Sequence, residues 1–186
     1  HPVHLTPEVV AALQRAGCRG LDLGAESGDP LRIERIGKGV TAERVIEAVR
    51  RCVEAGLRVM VNVMFGWPDE TAAEIEATCA FAQRAVDAGA MLNARGVLVP
   101  YPGTRLYDRH QARHGFGEWW LDRRNPFEYA PFPDTSDPVQ LELACARDAA
   151  LARNFFHHDD VHLRRIQQAL DLKARLTWRR TVAPAP

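Results

Sequence analysis

Two hydrophobic rhythms alternate along the first hundred residues. Stretches with apolar positions three and four apart, as in "TPEVVAALQRAG" and "TAERVIEAVRRCVEAG", give way to short runs that are apolar almost throughout, as in "LRVMVNVMF". The first rhythm is that of an amphipathic helix, the second that of a buried strand. Together they form a loose repeat: a helical pattern ending in Ala-Gly, an apolar run, then a polar or glycine-rich loop. The copies read "QRAGCRGLDLGAESG", "VEAGLRVMVNVMFGWPDE" and "VDAGAMLNARGVLVPYPG". In each, a glycine (Gly17, Gly56, Gly89) stands where a helix ends in the left-handed conformation.

Helix starts are signalled as well. Thr6-Pro7-Glu8 is an N-cap with proline in the first turn, Thr41 opens a periodic stretch to about Ala55, and Thr71 to Glu74 spells a capping box. The order is helix, strand, helix, strand, helix, strand, helix, which predicts an α/β fold: a parallel sheet with flanking helices. Because "LRVMVNVMF" is apolar on both faces, both are expected to be covered, as in a barrel or a doubly wound sheet. Such sheets bind ligands at the carboxyl ends of their strands. The loops "GAESGDP", "FGWPDET" and "VPYPGT" are therefore the places to look.

After Tyr107 the pattern breaks. Residues 115–136 mix glycine and proline with Trp119, Trp120, Phe127, Tyr129 and Phe132 and read as an irregular segment folded over something apolar. Two helices should follow, from Asp137-Pro138 to about Phe156 and from about Val161 to Trp178, before a loose tail. The chain thus divides at 1–114, 115–136 and 137–186.

Composition narrows the function classes only a little. The 186 residues suit one domain, and 46% apolar content allows a real core. Lysine plus arginine equals aspartate plus glutamate at 24 each, so the overall field gives no pull toward nucleic acid or an anionic membrane. No apolar run approaches a bilayer span and no signal-peptide pattern opens the chain, which points to a cytoplasmic location. Cys18, Cys52, Cys79 and Cys145 are scattered among apolar neighbours, as reduced core thiols are. A chain that begins at His1 is expected to be processed or part of something longer.

The first loop carries the best polar candidates. Glu26 at a strand tip can accept two hydroxyl hydrogen bonds from a ribose, Ser27 adds a hydroxyl, and Gly28 lets backbone approach a flat ligand. A competing assignment makes Ser27 and Asp29 turn or capping residues before Pro30. In the second loop, Gly66, Pro68, Asp69 and Glu70 precede a helix start, where acidic residues are favoured anyway by the helix dipole. In the third, Pro100, Pro102, Gly103 and Thr104 form a turn.

Taken jointly, "LDLGAESGD", "GKGVTAE", "MFGWPDET" and "LVPYPGT.LYD" resemble the radical S-adenosylmethionine (SAM) enzymes, especially the subgroup preceded by a cobalamin-binding domain. The resemblance covers roughly residues 8–108. It implies strands four to six of a partial TIM-type barrel followed by a helical extension. It also implies SAM as cofactor, bound by Glu26, Ser27 and Gly28 at the fourth strand, by Gly66, Pro68 and Glu70 at the fifth, and by backbone of Val99 and Pro100 at the sixth. Asp69 replaces the family's usual glycine. A [4Fe-4S] cluster and, through the subgroup, cobalamin belong to the same implication, yet the C-x-x-x-C-x-x-C motif that holds the cluster is missing from this chain.

The expectation is therefore the C-terminal half of such a barrel, positioning SAM for cleavage to a 5′-deoxyadenosyl radical and inactive alone. Its partners would be the missing half or, through an exposed sheet edge, a second copy, together with a small-molecule substrate. A non-catalytic module that kept the fold, and an unrelated α/β barrel binding a nucleotide or phosphate, are the alternatives. His110 and His114, in "HQARH", lack the glutamate of a zinc hydrolase and read as a solvated helix face. His157, His158 and His162 read as a helix boundary, and Arg164, Arg165, Lys173, Arg175, Arg179 and Arg180 as a solvated face.

Overall fold

A computed structural model of the chain describes residues 1–93, 96–121 and 148–182, with side chains as far as Thr177. After a short 3-10 turn at Pro2–His4 come α1 (Pro7–Arg15), β1 (Gly20–Glu26), α2 (Pro30–Arg35), α3 (Ala42–Glu54), β2 (Arg58–Val63), α4 (Ala72–Asp87), β3 (Met91–Leu92), α5 (Arg105–His114), a 3-10 turn at Trp119–Leu121, α6 (Ala149–Arg153) and α7 (Asp160–Val182). Thr6, Thr41 and Thr71 each cap the helix they precede, and Thr71 with Glu74 forms the reciprocal capping box. The repeat glycines Gly17, Gly56 and Gly89 all have positive φ.

The strands form one parallel sheet in the order β1-β2-β3. One face of it, carrying Leu23, Ala25, Val59, Val61 and Val63, is buried in the main core with α3 and α4. Each of the leucine and valine side chains contributes roughly 1.5–3 kcal/mol through removal from water. The expectation that both faces of β2 are covered is not met among the described residues. Met60, Asn62 and Met64 are only half-buried and Asp22 beside them is exposed, because α3 and α4 pack on the alternate, valine-bearing positions.

The third run is also shorter than its sequence suggests. Regular pairing stops at Leu92, and the Asn93 carboxamide takes over, with Oδ1 accepting from Val63 N at 3.1 Å and Nδ2 donating to Val63 O at 3.4 Å. A parallel bridge between Phe65 and Val97 resumes the ladder. Side-chain bonding of this kind imitates a strand partner and ends the regular ladder early.

Beyond α5, a second cluster gathers Trp67, Leu98, Phe116, Trp119, Phe155 and Phe156. The aromatic segment thus does cover apolar surface, with Trp119 itself 2% exposed; Phe127, Tyr129 and Phe132 lie outside the described residues. So does the start of the helix expected from Asp137. Its described part, α6, stops at Arg153 and not at Phe156, because Asn154 turns left-handed with φ 46°. The last helix is longer than expected, and Ile166, Leu170 and Ala174 carry it into the main core. No described helix is long and apolar enough to cross a membrane.

Candidate functional site

Parallel pairing puts the three strand ends on one edge of the sheet. Backbone bonds tie them in sequence: Met64 N donates to Glu26 O at 2.8 Å, Phe65 N to Gly96 O at 2.7 Å, and Leu98 N to Phe65 O at 2.9 Å. The residues expected at the site therefore come from adjacent tips.

At the first tip the ladder slips by one residue between Gly24 and Glu26, and Glu26 takes φ 68°. A left-handed non-glycine residue costs on the order of 1–2 kcal/mol. The backbone bend turns the carboxylate back along the strand, where Oε1 accepts from Lys38 Nζ at 2.8 Å. A side chain at Gly24 would collide with both groups, so that glycine makes room for the pair. About a fifth of the Glu26 side chain stays accessible, which leaves its carboxylate open to further donors.

Ser27 and Gly28 face the other way. The Ser27 hydroxyl, in a residue 3% exposed, bonds Thr78 Oγ1 on α4 at 3.0 Å and accepts from Asp29 N at 3.1 Å. A Cβ at Gly28 would lie 2.5 Å from the Ala77 carbonyl oxygen and 2.9 Å from Thr78 Cα, so this glycine serves helix packing. Asp29 caps α2 through Arg32 N, as the capping alternative foresaw.

The second tip is a tight loop. Gly66 has φ 82° and donates its N–H to Glu70 Oε2 at 2.7 Å; Pro68 is half-buried. Asp69 reaches out to α2, bonding Arg32 Nη1 at 2.7 Å and Arg35 Nη1 at 3.3 Å. Arg32 is 4% exposed, lies 5.4 Å from the Trp67 ring and pairs also with Glu74. Burial pushes the Asp69 carboxyl up, but its bonds and charge contacts with Arg32 outweigh this and hold it below the usual range. Glu74 is likewise held down, against burial, by Thr71 and Arg32.

At the third tip Val99 is half-buried and Pro100 buried, with the Pro100 carbonyl accepting from Trp119 Nε1 at 3.2 Å. Between the second and third tips opens a cavity of about 450 Å³ whose walls include Met64, Trp67, Val97, Val99 and Tyr101, with Asn93 and Asp148 as polar lining. This is a size that admits a planar heterocycle with its sugar. Glu26 is not among the residues lining it.

Several contributors escape sequence reasoning: Lys38, Arg32, Thr78, Asn93 and His158. Their partners lie 12 to 92 residues away, and no local pattern announces such contacts. "GKGV" and the buried position of Arg32 beside Pro30 offer no more than a charged residue near a turn. Two expectations are also revised. His110 and His114 are both half-buried, His110 edge-on to Phe156 and His114 between Phe116 and Phe156, and not a solvated face, and Lys173 is 1% exposed with Nζ 3.1 Å from Asn93 Oδ1.

No three His, Cys, Asp or Glu side chains among the described residues are arranged to hold a metal ion. The described cysteines are free thiols. Burial, with Glu70 and Glu76 nearby, pushes Cys79 up to about 11, and burial also raises Cys52. Thiols raised in this way do not suit cluster ligation, which needs thiolates, and no described group of three is arranged to hold a metal.

Residues 1–82 match the family model of the radical SAM superfamily, a stretch that includes the first two tips and ends before the third. An uncharacterized methyltransferase of Pyrococcus horikoshii is 38% identical over 101 residues, 54% of this chain and 21% of that protein. An uncharacterized protein of Methanopyrus kandleri is 35% identical over 83 residues, 44% of this chain and 16% of that one. The tRNA-2-methylthio-N(6)-dimethylallyladenosine synthase of Pelobacter propionicus is 32% identical over 111 residues, 56% of this chain and 24% of the relative. The chain therefore spans less than a quarter of the length of each relative.

Proposed function

We propose that this chain supplies the SAM-binding half of a radical SAM enzyme, with the adenosyl group seated along the edge where the three tips meet. The observation that carries this is the parallel, backbone-linked alignment of Glu26, the Gly66 loop and Val99 on one sheet edge, within a chain whose residues 1–82 match the superfamily. The cavity between the second and third tips takes the adenine, with Met64 and Val99 as apolar walls. Glu26 accepts ribose hydroxyls, Lys38 holds its carboxylate in place, and Ser27 and Gly28 act through α4, fixing the bend that presents it. Gly66, Pro68 and Glu70 shape the loop beside the ring.

SAM, when bound and reduced by a [4Fe-4S] cluster, supplies a 5′-deoxyadenosyl radical. The described residues do not fit the cluster itself, so its ligands come from elsewhere in the enzyme and this half binds and orients. Substrate and reaction follow from parts outside these residues.

Calorimetric titration with SAM tests the assignment. Glu26→Ala removes two charge-assisted bonds, each worth about 1.5–3 kcal/mol, and should weaken binding by at least about tenfold. Equal affinity in the variant, or no binding by the wild-type chain, contradicts it.

A further inference from the structure

The second tip is gripped from the C-terminal helix. The turn before α7 carries two non-glycine residues in the left-handed region, Asn154 at φ 46° and His157 at φ 55°; such strain persists only where neighbours over-determine it. Here Asn154 does so, its Nδ2 donating to His158 O and its Oδ1 accepting from His158 N, both at 2.8 Å. His158 is thereby fixed with Nε2 3.2 Å from the Gly66 carbonyl oxygen. A carbonyl only accepts, so Nε2 carries the proton.

At i+4, His162 stacks on His158, with ring centroids 4.4 Å apart and 27° between planes. His162 Nε2 is buried without a hydrogen-bond partner, 3.6 Å from Glu70 Oε2. That same oxygen accepts the Gly66 N–H. One histidine thus holds the Gly66 carbonyl while the other faces the carboxylate that holds its amide.

We propose that His158 and His162 are positioning residues for the second tip, and that a proton taken up by the stacked pair loosens the Gly66 loop. The charged and titratable groups facing the pair are Glu70 from the tip, Asp159 at the head of α7, and His114 from α5. Burial holds the His158 imidazole below its ordinary range, partly opposed by its bond to Gly66, which disfavours a charge on that ring. Two stacked cations repel, so the pair accommodates one added charge, and of its two rings it is His162 that faces a carboxylate, Glu70 Oε2. Once the His162 ring is charged, its Nε2–H is drawn more strongly to Glu70 Oε2 and competes with Gly66 for that oxygen. The loop is tight at neutral pH and loosens as pH falls through the histidine range.

The loop's own response needs no ligand; only its consequence for SAM affinity rests on the function proposed above. Amide exchange of the ligand-free 186-residue chain, followed by NMR from about pH 5.5 to about pH 8 and corrected for intrinsic rates, is the test. Loss of one hydrogen bond corresponds to about a threefold to tenfold drop in Gly66 protection at the acid end. His162→Gln should abolish the pH response. His158→Phe should lower Gly66 protection at every pH, and His158→Gln, whose amide still donates, should restore it. A flat Gly66 profile in the wild type, or an unchanged pH response in His162→Gln, overturns the proposal. SAM titration across the same series separates the two claims: absence of binding at every pH sinks the functional assignment, while Gly66 exchange alone decides this one.

Discussion

A glutamate in the left-handed region, with glycines two residues away on either side, is an expensive choice. Glu26 holds that conformation, and under the proposed function the carboxylate's hold on the ribose offsets its cost. Glu26→Gly should leave the chain as stable or up to about 1 kcal/mol more stable in urea denaturation, because backbone strain is relieved, while SAM binding is lost. A clear loss of stability would instead make Glu26 a structural residue. Gly28→Ala should behave in the opposite way. Its new Cβ meets the backbone of Ala77 and Thr78, so destabilisation of about 1–3 kcal/mol is expected in the same measurement. Glutamate, serine and glycine in "ESG" were legible as a polar tip, but their division of labour was not. Only the packing of α4 shows that the serine and the glycine face inward.

Elements rest on signals of different range. Helix starts at Thr6, Thr41 and Thr71 and the repeat glycines depend on a few neighbouring residues, and all appear as the sequence implies. The third strand and α6 depend on distant partners, Val63 for one and the Asn154 turn for the other, which a local pattern does not carry. The α2 to second-tip clasp is of this second kind. Asp69 and Glu74 are held below their ordinary pKa in the folded state, so the stability they add is present above the unfolded carboxylate range and is lost as pH falls below it and through their lowered folded-state values. Unfolding midpoints measured below about pH 4.5 should fall more steeply in the wild type than in a variant with Asp69→Asn and Glu74→Gln. Parallel slopes would show that the clasp carries no pH-dependent stability.

On the scale of the whole molecule, the alternating helix and strand pattern foretold a parallel α/β sheet correctly. It overstated how that sheet is covered: apolar residues on β2 imply a second covered face, whereas Met60, Asn62 and Met64 are half-exposed among the described residues. Cysteine chemistry follows from the same packing. Cys79, pushed up to about 11 and half-buried on α4, should resist alkylation at pH 8 while the chain is folded and react only on unfolding; rapid native labelling would contradict the packing described.

The central claim is that three neighbouring strand ends rim one nucleoside site. Backbone amide shift mapping with S-adenosylhomocysteine addresses it most directly. The account predicts that the largest shifts fall together on residues 24–28, 64–70 and 97–101 and follow one binding curve. Shifts confined to a single tip, or centred on the helix-covered face of the sheet, would contradict it.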